Sequence, residues 1–384
     1  MKASHAPERI IANARIVLRN EVVHGTVKLS RGRIAAVDSG NTAVKGAEDW
    51  DGHWLLPGLV ELHTDNLEKH FSPRPGVHWP GLPAVLAHDA QVAAAGITTV
   101  FDSLALGEVK PGGIRAGQLD GMLAAINTAR ERKLLRTEHL LHLRCEISTE
   151  GIVELFDRLA QDPSLRLVSL MDHTPGQRQF VELAKYREYY QGKYGLNDTE
   201  MADFTARQIE NQEKFSAANR RAIVERCRGK MLSLASHDDA TPEHVAEAAG
   251  EGITLSEFPT TMVAARSAQQ RGIAVMMGAP NVVRGGSHSG NISAHELASA
   301  GFLDCLSSDY VPSSLLHAAF LLTRDAGWTL PRAVTSVSAT PAALATLPDR
   351  GEIRAGLRAD VIRVQESHGI PVVHEVLREG RRIL

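Results

Sequence analysis

His63 and Asp65 close a run, Val60-Glu61-Leu62-His63-Thr64-Asp65, in which Val60, Leu62 and Thr64 alternate with Glu61, His63 and Asp65. Alternation is the period of a strand, and a strand sends residues two apart to the same face. An imidazole nitrogen and a carboxylate oxygen placed so near each other suit a divalent metal. Alone, His-x-Asp reads as readily as a core histidine followed by an N-cap aspartate. Other strand-like runs tip the balance, because each of them ends in similar chemistry. Leu140–Ile147 carries Glu146, Leu165–Met171 leads into Asp172-His173, Leu232–Ala235 into Ser236-His237-Asp238-Asp239, and Leu303–Ser307 into Ser308-Asp309. A metal held among such groups lowers the pKa of bound water from about 15.7 to about 7. A carboxylate beside that water can accept its proton. Asp309, at the last strand, is the expected acceptor.

These residues need elements that bring strand ends together. After the Val60 run, strand and helix patterns alternate: helix Ala84–Ala95, strand Gly96–Asp102, helix Gly117–Glu131, and so on through strands at 231–235, 253–258, 274–278 and 303–307. Such alternation implies a parallel sheet covered by helices. About eight strands suit a closed TIM-like (β/α)8 barrel, whose strand ends share one mouth. A doubly wound open sheet is disfavoured because no glycine-rich phosphate loop follows the first strand. Both chain ends read instead as short strands broken by turns such as Ser30-Arg31-Gly32, with Gly351-Glu352-Ile353 and the terminal Arg378–Ile383 among them. The expected organisation is a small β-sandwich domain from residues 1–55 and 350–384 around a barrel of residues 56–349. A long polar helical insertion, residues 176–228, interrupts the barrel's rhythm.

Composition narrows the function. The chain has 384 residues, a formal net charge of −3 and 43% apolar residues, so it can bury a large core and has no global basic field for nucleic acid. Cys145, Cys227 and Cys305 are widely spaced, with no CxxC pair, which fits a reduced cytoplasmic protein. No run approaches the roughly 18 apolar residues of a membrane span. A homodimer is compatible with the sequence, which sets no oligomeric state.

The chain resembles the amidohydrolase superfamily. The likeness rests on Leu56-Pro57-Gly58-Leu59-Val60-Glu61-Leu62-His63, on the order of strand-end ligands, and on Gly351-Glu352-Ile353 followed by Gly356-Leu357-Arg358-Ala359-Asp360-Val361. Within the superfamily it is most similar to the diphosphatases of phosphonate breakdown. That likeness rests on Glu61 to His70, Pro73-Arg74-Pro75-Gly76-Val77, Met171 to Phe180, Tyr189 to Gly195 and Gly278 to Asn291. The resemblance implies metal ligands His63, Asp65, Glu146, His173 and His237, with Asp309 near one or two divalent ions. Zinc leads, and manganese and iron also fit. Asp65 stands where most members carry a second histidine, and Glu146 where many carry a modified bridging lysine.

The implied reaction is hydrolysis of a ribose 1-methylphosphonate 5-triphosphate to the 5-phosphate and diphosphate. Candidates to hold the phosphates are Lys69, Arg74, Arg178, Arg187, Lys193 and Arg284, with backbone amides near Asn281 and in the Gly285–Gly290 loop. The insertion is expected to cover the barrel mouth, with Arg178 as its leading phosphate contact. A solvated helix pair is the competing reading of that segment. Two other functions stay open: hydrolysis of a C–N bond, as in a deacetylase, cyclic amidase or deaminase, and a catalytically inactive scaffold.

Overall fold

The computed structural model describes residues 6–107, 114–180, 183–287 and 290–384. Eight parallel strands follow one another in sequence order, as in a TIM-like (β/α)8 barrel. They are β1 (Leu59–Thr64), β2 (Ile97–Leu106), β3 (Glu138–Glu146), β4 (Leu165–Met171), β5 (Ser233–His237), β6 (Leu255–Glu257), β7 (Ala274–Gly278) and β8 (Cys305–Ser307). Every residue of β1 and of β2 is buried, as expected for strands covered on both faces. A bridge between Thr64 and Asp309 joins the end of the first strand to the residue just past the last.

A second, mostly antiparallel sheet draws on both chain ends. Arg9–Val17 pairs with Val22–Ser30, which pairs with Arg33–Ser39. Trp54–Pro57 lies between Arg9–Val17 and Val361–Ser367 and so ties the two ends of the chain into one sheet. Ile11, Ile16, Val27, Leu29, Trp50, Leu55 and Val361 form its core. Full burial of each large aliphatic side chain there contributes about 1.5–3 kcal/mol. Gly351-Glu352-Ile353, expected as a strand, lies in turns and irregular chain before Val361.

By compactness the chain divides into two units. The first comprises Met1–Asp102, Ala124–Leu140 and Met277–Leu384, and the second Ser103–Leu123 and Leu141–Met276. In the second, the insertion folds as helices Leu183–Tyr194, Asp198–Asn211 and Ala217–Lys230, with a short π-helix at Gln212–Ser216. Asn197 and Glu200 close a capping box at the start of the middle helix. Phe180, Tyr186, Tyr190, Met201 and Phe204 pack on one another as a small core of their own. Among the described residues, no helix is long and apolar enough to cross a membrane.

Candidate metal centre

Three of the polar strand ends expected from the sequence lie in the second unit, and they converge. Glu146 ends β3, His173 lies two residues beyond β4, and His237 ends β5. Glu146 holds His173 twice, through Nδ1 at 2.6 Å and through the backbone amide at 3.0 Å. The two imidazole rings meet edge-on, their centroids 5.6 Å apart. Both Nε2 atoms approach one carboxylate oxygen of Asp238, at 3.6 Å from His173 and 3.5 Å from His237. His173, His237 and Asp238 offer their ligand atoms within 4.8 Å of one another.

The sequence reading left Asp238 outside its ligand set. Asp238 follows β5 in the left-handed region, with φ of 55°, and Phe258 does the same after β6 with φ of 55°. That conformation costs a non-glycine residue roughly 1–2 kcal/mol and turns the side chain off the line of the strand. The Asp238 amide donates to the Glu257 carbonyl at 2.9 Å, which fixes the turn. Glu257, at the end of β6, is the other residue the sequence reading missed. Its carboxylate accepts from His237 Nδ1 at 3.1 Å and from Ser169 at 2.6 Å. His142 bonds the same serine and accepts or donates at Ser103, 3.0 Å away, so a buried polar chain stands behind His237. Each histidine therefore has one nitrogen fixed by a carboxylate, the arrangement that orients metal-binding imidazoles.

Electrostatics follow from this crowding. Burial disfavours the charged imidazole of His173, but Glu146 and Asp238 outweigh it and push its pKa up to about 10. The same histidines hold Glu146 and Asp238 below the usual carboxylate range against the effect of burial. Four charged or chargeable groups gathered this tightly make a place that favours positive charge, chemistry that suits a divalent ion.

The first unit holds the remaining expected ligands: His63 in β1, Asp65 just after it, and Asp309 after β8. They are laced by backbone bonds. The Asp309 amide donates to the His63 carbonyl at 3.1 Å, and Asp65 N to the Asp309 carbonyl at 3.3 Å. Thr64 Oγ1 donates to that carbonyl at 2.6 Å. Asp309 is left-handed, with φ of 51°. Beneath them Glu61 accepts from the amides of His63, at 2.7 Å, and of Ser308. Burial pushes its carboxyl up to about 8 even with those amides opposing.

The phosphate candidates fare differently. Arg178 is buried, and its guanidinium is taken by Asp239 and, at 3.2 Å, by Glu247. It braces β5 to the helix Pro242–Gly250 and has no reach for phosphate, which corrects the expectation from its closeness to His173. Lys69 donates to the Tyr310 carbonyl and lies 4.8 Å over that ring, one residue past Asp309. Arg74 sits in an exposed tight turn. Arg187 is half exposed, 3.5 Å from Asp198. Lys193 stands 5.3–5.8 Å from the rings of Tyr189, Tyr190 and Tyr194. Arg284 is exposed at the end of the helix Ala279–Arg284, and Asn281 caps Ala294 through its Oδ1 at 3.0 Å. His288 and Ser289, within the glycine-rich loop, lie outside the described residues, as do Val181 and Glu182.

No protein-family model matches the chain. The alpha-D-ribose 1-methylphosphonate 5-triphosphate diphosphatase of Escherichia coli strain K12 is 48% identical to it over 376 residues, 97% of this chain and 100% of that one. Among solved structures, N-acetyl-D-glucosamine-6-phosphate deacetylase from Mycobacterium smegmatis is similar with a TM-score of 0.65 at 15% identity, covering 98% of this chain and 100% of that one. A 5-methylcytosine deaminase from Klebsiella pneumoniae, liganded with phosphonocytosine, gives 0.64 at 16% identity over 98% of each chain. At so low an identity these two structures speak to the fold alone.

Proposed function

Because the chain belongs to the alpha-D-ribose 1-methylphosphonate 5-triphosphate diphosphatase family, we propose that it hydrolyses that triphosphate to the 5-phosphate and diphosphate in phosphonate degradation. The observation that carries this reading is full-length identity of 48% to a diphosphatase. Hydrolysis of a C–N bond has only distant likeness of fold behind it.

His63, Asp65, Glu146, His173, His237 and Asp309 are proposed to hold one or two divalent ions, and Asp238 joins them on geometry. Imidazole and carboxylate donors fit zinc first, with manganese or iron also accommodated. When bound, such a metal supplies hydroxide at neutral pH and neutralises charge on phosphorus. The chain's own residues do the rest. Glu146 and Glu257 fix the Nδ1 atoms of His173 and His237, so each ring presents Nε2. Asp309, held in its strained turn by His63 and Thr64, takes the proton of the attacking water. Lys69, beside Tyr310, is the best-placed cation of the first unit for phosphate oxygens. Three free, buried cysteines support a reducing cytoplasmic setting.

The test is phosphorus NMR of the triphosphate with metal-loaded protein. Diphosphate and the ribose 5-phosphate should appear together in equal amounts. Stepwise release of single phosphates, or an intact triphosphate, overturns the reading.

A further inference from the structure

At the small-sheet end of the first unit the described residues line an open cavity of about 450 Å³ whose lining includes Arg31, Arg33, Arg136, Arg358, Arg378 and Arg381. One carboxylate, Glu379, lines it with them. In a chain of net charge −3 this is a marked local excess of positive charge. We propose that the cavity is a second anion site that takes a polyphosphate chain.

The sequence builds the cavity from two tight turns. Arg31 and Gly32 have φ of 51° and 77°, and Glu379 and Gly380 have φ of 49° and 70°. Two consecutive positive φ values define the two-residue hairpin turn favoured between twisted strands. Each turn is flanked by arginines, Arg33 after the first and Arg378 and Arg381 around the second. Ala359 clamps the pair: its amide donates to the Gly32 carbonyl at 2.9 Å, and its carbonyl accepts from Gly380 at 2.9 Å. A Cβ on Gly32 would meet the Glu379 carbonyl at 3.3 Å, so the turns pack backbone to backbone. The arginines are thus set by rigid main chain.

Arg136 is paired with Asp89 at 3.1 Å, whereas Arg31, Arg33 and Arg378 keep most of their side-chain donors for a ligand. Among the described residues Arg31 makes no hydrogen bond or ion pair. Arg33 bonds only the Gly356 carbonyl, at 2.7 Å, and Arg378 only the Arg136 carbonyl, at 2.8 Å. Arg358 at the base is neutralised by Glu138 and by Asp360, 3.0 Å away, so it serves as the floor. Guanidinium forks match phosphate oxygens two at a time, which favours a phosphate chain over a monovalent anion. Among the described residues the lining has no aromatic side chain on which a base would stack, which disfavours single-stranded nucleic acid.

The site is separate from the metal residues of the same unit. The Asp360 carbonyl accepts from Gly58 at 2.8 Å, just before β1, whereas His63 and Asp65 stand at that strand's other end. The inference therefore holds or fails independently of the metal chemistry. Two sources share the ligand chemistry: the diphosphate that the reaction releases, and nucleoside triphosphates.

Titration calorimetry of the metal-loaded protein with inorganic diphosphate, and separately with ATP, tests it. The variants are Arg31→Glu, which alters an exposed side chain that braces nothing, and the double variant Arg31→Ala with Arg378→Ala. Wild type should show a binding event that the double variant weakens about 100-fold, at roughly tenfold per lost charged contact, while turnover at saturating substrate is unchanged. Arg31→Glu should weaken the same event more than tenfold. Tighter diphosphate assigns the site to product, and tighter ATP assigns it to nucleotide. Unchanged isotherms in both variants, or binding of a single-stranded oligonucleotide in place of either probe, overturns the proposal.

Discussion

Two buried groups in this protein have nearly the same composition, and they differ in how their nitrogen atoms are used. His88, Asp102 and His139 lie in the first unit, and His173, His237 and Asp238 in the second. In the first group Asp102 gives one oxygen to each imidazole, at 2.9 Å to His88 and 2.8 Å to His139. The outer nitrogens are also matched, His88 Nδ1 to Asn66 at 3.0 Å and His139 Nε2 to Asp89 at 3.3 Å. Asp89 in turn accepts from Arg136 and Thr137. The circuit closes on itself with opposite charges paired. In the second group two Nε2 atoms converge on one oxygen at 3.5–3.6 Å, outside hydrogen-bond range, while carboxylates hold both rings from behind. Histidine and aspartate in contact do not make a metal site. Convergence of donors on one point supports the metal site proposed for the second group, and the matched nitrogens of the closed group support a bracing role for the helix that carries Asp89.

Substitution should separate the groups most sharply. His173→Ala, His237→Ala and, in the first unit, His63→Ala are expected to lose metal and turnover while circular dichroism stays native. His139→Ala should keep its metal, measured by elemental analysis, and lose thermal stability. Metal loss from His139→Ala, or full retention in all three others, would break the comparison. Asp309→Asn comes next: metal stays, and kcat falls at least about 10²-fold, the scale of general-base catalysis. A change within a few-fold moves the proton acceptor elsewhere. Glu257→Gln should be milder. By loosening His237 it is expected to weaken metal binding about 10- to 100-fold, with most turnover regained at high metal. Turnover that stays low at saturating metal would give Glu257 a role beyond orienting the ring.

The barrel was legible because its strands alternate with helices at regular spacing, and Leu165–Met171 and Ala274–Gly278 fall where the pattern put them. The strand after the insertion starts later than expected because Met231 takes a left-handed cap, φ of 54°, on the helix before it. Asp238 and Glu257 escaped notice for related reasons. A left-handed turn after a strand leaves no mark in a run such as Ser236-His237-Asp238-Asp239, and β6 is three residues long. Arg178 was misread because closeness in sequence to His173 says nothing about where a long side chain points. Its partners Asp239 and Glu247 lie 61 and 69 residues away. The arginine cavity was likewise visible only as turns, since what joins Arg31 to Arg378 is the clamp at Ala359.

The closed group carries the smallest and most specific expectation, a pH dependence of stability. Groups facing His139 come from two other elements: Asp102 on β2, and Asp89 and His88 on the helix Gly81–Ala94, with Arg136 on the far side of Asp89. Burial disfavours the imidazolium, but Asp102 and then Asp89 outweigh it and push the pKa up to about 9. In the unfolded chain it returns to about 6.5. The folded state therefore binds the extra proton, and the stabilisation is complete below pH 6.5 and lost as pH rises through about 9. One proton sets the slope at no more than about 1.4 kcal/mol per pH unit. His88 moves the other way, since burial lowers its pKa. Cys227, pushed up to about 12 by burial, also favours the folded state less as unfolded thiols ionise, so wild type alone would mislead. The difference between wild type and His139→Gln removes that shared background. Urea unfolding at pH 6 should show the variant clearly less stable, and the gap should narrow steadily to pH 9.5. A gap that stays constant across that range would mean His139 is neutral in the folded protein and that the circuit is held by hydrogen bonds without the charge.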